Sequence, residues 1–230
     1  MKNTLLIYTL LFGLHAHAIE PKPILDIDVN AFTNETQVTE GGANSLDLIW
    51  WIPVEFWEAT LRQSGDVTES QADLMLDILK NHSVLAVIQA DISPFGAFHF
   101  HSQDDVRDGL KVQSIDAAGN VRTISHTEPV DPDVQLFLGQ MRPILAQAMG
   151  SMGENFYFFP LPAFDDQGER NPSPFESGLL RVTLQRDDSE LELDIELPID
   201  SLFVPRVCPN GKMAHVSWEY CPWGGEELAQ

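Results

Sequence analysis

Two histidines one residue apart, His99 and His101, are the clearest candidates for chemistry in this 230-residue chain. In Phe98-His99-Phe100-His101 the residue types alternate. On a strand both imidazoles would project from one face and both phenyl rings from the other. Two imidazoles so spaced can ligate a metal, and Asp104 or Asp105 follows closely enough to add a carboxylate. The metal set under test is therefore His99, His101 and Asp104. The plainer reading is that the pair forms the wet face of an amphipathic strand. Trp50, Trp51, Phe56 and Trp57 make an aromatic cluster. Most of it should be core, and an exposed member would line a groove for a peptide or sugar. Nucleophilic catalysis finds no anchor. The chain has no Gly-x-Ser-x-Gly elbow, Cys-x-x-Cys pair, P-loop or Gly-x-Gly-x-x-Gly stretch. With 35 carboxylates, acid pairs are too common for a glycosidase-like pair to stand out. No catalytic or cofactor-binding residue is assigned.

The most specific local pattern lies at the C-terminus. It reads Cys208-Pro209-Asn210-Gly211-Lys212, then Trp218-Glu219-Tyr220-Cys221-Pro222-Trp223-Gly224-Gly225. This segment, about residues 205–228, resembles the zinc-ribbon family, whose knuckles read Cys-Pro-x-Cys-Gly. The match covers Cys208, Pro209, Cys221, Pro222 and Gly225, with Trp218 and Tyr220 in typical places. It departs at Gly211 and Gly224, where the family carries the second Cys of each knuckle. Two thiolates alone do not close a tetrahedral zinc site. His215 can serve as a third ligand, with water or a remote group as the fourth. In a zinc ribbon the two knuckles face each other across the metal. The resemblance therefore implies that Cys208 and Cys221 are neighbours and, in an oxidising compartment, form a disulfide. Closing that loop would stabilise the tail by about 3 kcal/mol in the chain-entropy model. Zinc held by the two Cys and His215 is the alternative.

The elements that must position these residues follow from periodicity. Leu25, Ile27 and Val29 alternate with Asp26 and Asp28, which predicts a strand over residues 24–29. Asp26-x-Asp28-x-Asn30 also opens like a calcium loop, but Ala31 replaces its Gly and Gln37 its Glu. Residues 33–45 read as a polar loop. Leu46 to Ile52 is a buried strand broken only by Asp47, and Pro53 starts a helix over residues 54–63. Thr68-Glu69-Ser70-Gln71 is a capping box opening a second helix. Residues 84–92 form a central strand, and 97–102, 109–115 and 121–125 form three more. Asp131-Pro132 opens the longest helix. Its apolar stripe is Val134, Phe137, Leu138, Met141, Leu145, Ala148 and Met149, with the Met residues as core filler. Residues 155–159 read as an aromatic strand, and 160–175 as a long exposed loop. Two strands around 180–185 and 189–197 have strict period two, with an acidic outer face and Arg181 positioned to pair across. The expected fold is α+β, with a largely antiparallel sheet, about three helices and a small knuckle pair at the end. The domain boundaries are 19–204 for the main body and 205–230 for the tail.

Residues 1–18 read as a secretory signal. Lys2 gives a positive start, Leu5 to Leu14 a ten-residue apolar core, and Ala16-His17-Ala18 a cleavage site. No later segment is apolar enough for a membrane span. The formal charge is −22, with 13 Lys and Arg against 35 Asp and Glu. Loss of Lys2 with the signal would make it −23. Such a surface excludes nucleic acid as a partner and favours solubility; functionally it offers a polyanionic face to cations or basic partners. The expectation is an exported acidic protein, periplasmic or secreted. It would be a non-catalytic binding or interaction module for a protein or small-molecule ligand, with no resident cofactor. The alternative is a metal-dependent enzyme, with zinc the candidate ion, built on His99 and His101 with a nearby carboxylate.

Overall fold

A computed structural model describes residues 19–228, except Glu128, Asp188 and the side chains of Leu145 and Ala148. The segment read as an export signal, residues 1–18, lies outside them, as do the last two residues of the tail. In chain order the first elements are α1 (Val29–Thr36), β1 (Gln37–Gly41), β2 (Ser45–Ile52), α2 (Val54–Gln63), α3 (Glu69–Leu79) and β3 (His82–Ile92). Next come β4 (Phe98–Phe100), α4 (Gln103–Gly109), β5 (Leu110–Asp116), β6 (Val121–Ile124), α5 (Pro132–Met149) and α6 (Ser151–Glu154). The chain ends with β7 (Tyr157–Pro162), β8 (Gly178–Gln185), β9 (Glu190–Leu197), β10 (Arg206–Val207) and β11 (Met213–Ala214).

All strand pairs are antiparallel. The first sheet runs β1-β2-β3. The far side of β3 pairs with β7 over His82–Val87 and with β4 over Ala90–Ile92. The second sheet runs β6-β5-β8-β9, and β10-β11 is a separate ribbon. Alternation along β2 sorts its side chains between two neighbours. Trp50 meets Phe56 of α2 edge-on at 5.2 Å and lies nearly parallel to Phe156 at 6.3 Å. Asp47, two residues from Ile49 and four from Trp51, points the other way. It pairs with Arg186, just beyond β8 in the second sheet. Helix α2 covers one face of the first sheet and the second sheet covers the other, while α4 packs against β8. The first sheet is dry on both faces, so Val84 to Ile88 is buried without a break. The second sheet buries Leu180, Val182, Leu193 and Ile195 and leaves Glu190, Glu192, Asp194 and Glu196 exposed. Each of the larger aliphatics on these faces contributes about 1.5–3 kcal/mol by leaving water.

The structure is α+β with antiparallel sheets, and it departs from the sequence reading in several places. Six α-helices are present among the described residues, where about three were expected. Residues 24–29 are not a strand. Ile24–Asp26 is a 3-10 turn, and Asp28 caps α1 by accepting from the N–H groups of Asn30 and Ala31 at 2.9 and 3.1 Å. A local cap here outweighs a short alternating pattern. The predicted loop over 33–45 contains the end of α1 and all of β1. The strand expected over 97–102 shortens to β4. Ser102 ends it by capping α4 in a reciprocal box with Asp105. The aromatic strand lies later than expected, at β7. Other expectations hold. Thr68 and Gln71 form their capping box. Asp131 caps α5 ahead of Pro132, and Arg181 pairs with Asp194 directly across the β8–β9 ladder at 2.7 Å.

Candidate functional site

The two histidines at β4 both neighbour Asp91 and differ in exposure. His99 is exposed, opposite Asp91 of β3. His101 is half-buried just past the strand, where its Nε2 lies 3.3 Å from Asp91 Oδ2 and its backbone N–H donates to Gln89 O. Asp104 sits in the first turn of α4 and pairs with Arg107 at 2.7 Å. The described residues hold no group of three His, Cys, Asp or Glu side chains able to share an ion. The aromatic cluster divides as its spacing implies: Trp51, Phe56 and Trp57 are buried and Trp50 is half-buried.

His101 instead borders a polar cleft of about 210 Å³ at the edge where the two sheets meet. Asp47 and Gln89 are direct neighbours across β2 and β3, so both face this edge. Asp47 is only 1% exposed. One of its oxygens pairs with Nη2 of Arg186, whose Nη1 donates to Ser45 Oγ at 2.6 Å. The other oxygen, Oδ1, is buried with no hydrogen-bond partner among the described residues. Gln89 donates to the carbonyl of Gln185 at 3.0 Å and ties the sheets together at the same corner. Asp91 and Asp187 stand at the rim. As a candidate site residue the sequence names no member of this cleft except His101, yet it carries part of the signal for it. Asp47 is the one polar residue in the run from Leu46 to Ile52, and Gln89 interrupts an equally apolar stretch. A lone acid in a buried strand must find a partner, because an unpaired buried charge is expensive. The partner, Arg186, lies 139 residues away.

A second hollow of about 230 Å³ lies beside the β5–β6 turn and includes Arg122, Arg170 and Asn171. Its arginines are already engaged, Arg122 with Asp165 and Arg170 with Glu55, both at 2.8 Å.

The tail builds a different kind of surface. Cys208 and Cys221 lie at disulfide distance, with Cα atoms 5.7 Å apart, within the span such a bridge requires. Each Cys opens a tight turn. Gly211 N–H donates to Cys208 O and Cys208 N–H to Lys212 O, while Gly225 N–H donates to Cys221 O. The ribbon β10-β11 is anchored to the body. Val216 belongs to the main core and donates its N–H to Asp200 Oδ1 at 2.6 Å. Arg206 donates to the carbonyls of Val216 and Leu228. On this fixed frame Trp218, Tyr220 and Trp223 are 39%, 56% and 49% exposed. The two indoles meet at 6.0 Å, and Lys212 Nζ sits 4.6 Å from the Trp223 ring centroid. His215 is bound to Ser217 Oγ at 2.7 Å and neighbours Trp218.

No family model, no curated protein and no solved structure matches this chain.

Proposed function

We propose that the protein is an exported, non-catalytic binding module whose tail meets a protein partner carrying Lys and Arg. The observation behind this reading is the exposure of Trp218, Tyr220 and Trp223 on a frame held by a crosslink and by Arg206. Large aromatics left in water at fixed positions are costly unless a partner covers them, and Trp and Tyr dominate the energetics of such contacts. The charge of the surroundings selects the partner. Glu219, Glu226 and Glu227 flank the rings, and the protein as a whole carries −22. Lys212 already rests on Trp223, which displays the affinity of that ring for an ammonium group. The zinc-ribbon resemblance supports the same reading, since such ribbons serve mostly as structural and contact modules. Export is supported by the signal-like first 18 residues and the close Cys pair.

The test uses the intrinsic fluorescence of the exposed indoles and a synthetic peptide of alternating Lys and Leu as probe. At 150 mM NaCl the peptide should quench the tail emission, and the double variant W218A/W223A should bind at least about tenfold more weakly by interferometry. Equal binding by variant and parent would reduce the effect to bulk charge and overturn the proposal.

A further inference from the structure

The cleft at the corner of the two sheets lies on another surface and is built from residues that the tail does not use. We infer that it is a binding site for a small organic ammonium group, with Asp47 as the acceptor at its floor. Four observations support this. First, Asp47 is 1% exposed and lines the cleft, yet Oδ1 has no donor among the described residues. A buried carboxylate oxygen left without a donor loses its hydration with nothing in return. Second, among the described residues lining the cleft, Arg186 is the only cationic side chain apart from His101. Its Nη2 is committed to Asp47 Oδ2 and its Nη1 to Ser45. Third, the described lining holds three carboxylates, Asp47, Asp91 and Asp187, against that single guanidinium. The cleft therefore remains negative even after the internal pair forms, and it favours a positive guest. Fourth, Asn44, Ser45 and Ser189 add neutral polar groups around the same space. They suit a ligand with several N–H donors better than an apolar one.

The size narrows the class further. About 210 Å³ is below the range of a drug-sized site, which starts at roughly 300 Å³. The cleft suits an alkylammonium or amino-alcohol headgroup. A larger molecule would enter with its ammonium end only. Asp91, whose side chain is 64% exposed and touches His101, stands at the entrance as a second carboxylate.

The experiment is a nitrogen–proton NMR titration of the full mature chain with n-butylamine at pH 7, with n-butanol as the neutral counterpart. Ionic strength is held constant with NaCl. Amide shifts should cluster at residues 44–47, 89–91, 101 and 186–189 and saturate in the millimolar range for the amine alone. D47N should weaken the amine about tenfold or more, as expected for loss of a charged hydrogen-bond partner. D47N also disturbs the pair with Arg186. If it does not fold, D91N, at an exposed rim position, takes its place and should weaken binding about threefold. Equal shifts with butanol would overturn the inference. So would unsaturable shifts spread over the acidic surface, or unchanged affinity in a folded D47N or in D91N.

Discussion

At Gly211 the backbone adopts φ 81°, a region in which an L side chain is strained and Gly is not. The zinc-ribbon pattern would place a cysteine there. The turn between β10 and β11 closes on this left-handed residue, with Gly211 N–H returning to Cys208 O. At Gly224, the corresponding position of the second turn, an added Cβ would meet only the Glu226 carboxylate, the end of a flexible side chain that can swing aside. Cys208 and Cys221 lie at disulfide distance from each other. Purified from an oxidising compartment, the protein should have an intact mass two hydrogens below that of its reduced form, with no zinc in native mass spectra. Full thiol labelling without reductant would sink the crosslink. Stoichiometric zinc abolished by His99→Ala would instead put the metal reading ahead of the binding module. His99 and His101 show where residue-level inference stops. The sequence placed them two apart on a strand, but the partner that claims His101 is Asp91, across a hairpin the spacing does not specify.

Among the elements, those whose ends are written in a few adjacent residues were legible. The Thr68 box, the Asp131-Pro132 start and the period-two ladder of β8 and β9 are of this kind. Helix α4 carries an equally good box, Ser102 to Asp105, but the alternating Phe98–His101 segment before it drew the reading toward a longer strand. On the shared edge of β3, the return to β4 is written locally in the turn Ser93-Pro94-Phe95-Gly96, whereas the pairing with β7 joins residues far apart in the chain and leaves no local trace. The β8 strand supplies one prediction. A Cβ at Gly178 would strike the carbonyl oxygen of Ile115 on β5, so that glycine allows the two strands to close at their end. Gly178→Ala should cost about 1–3 kcal/mol in urea unfolding, while Gly139→Ala on α5, where the added Cβ meets nothing, should be neutral or stabilising. A second prediction concerns α1. Burial raises the pKa of Glu35 above the usual carboxylate range, against hydrogen bonds from Ser201 N–H and Oγ that lower it. The folded state then holds that proton more tightly than the unfolded chain does. Its contribution to stability is greatest below the unfolded pKa and is lost as pH rises through the raised folded value. Glu35→Gln should therefore gain in melting temperature relative to the parent at pH 7, and that gain should vanish near pH 4. A gain independent of pH would exclude titration of Glu35 as its cause.

For the molecule as a whole, the decisive quantity is the imbalance of 35 acids against 13 bases. The acids are not scattered evenly. The outer face of β9 presents Glu190, Glu192, Asp194 and Glu196 in a row, answered across the ladder by Arg181, which binds both Asp194 and Glu192. Such a row protects an edge strand against pairing with another chain, and it also adds repulsion to the folded state. Two effects of salt then oppose each other. Screening weakens the ion pairs, most of which are exposed, and exposed pairs are worth about 0–1 kcal/mol each. Screening also relieves the self-repulsion of the compact chain, as the Debye length falls from about 30 Å at 0.01 M to about 8 Å at 0.15 M. With nearly three acids for each base, more like-charge pairs than opposite pairs lie within that range, and the relief should win. The melting temperature should rise by a few degrees between 10 and 150 mM NaCl. Arg181→Ala, by removing the one cation from the β9 row, should steepen that rise. A melting temperature that falls with salt would mean that the ion pairs, Asp47–Arg186 foremost, outweigh the repulsion between the surface acids.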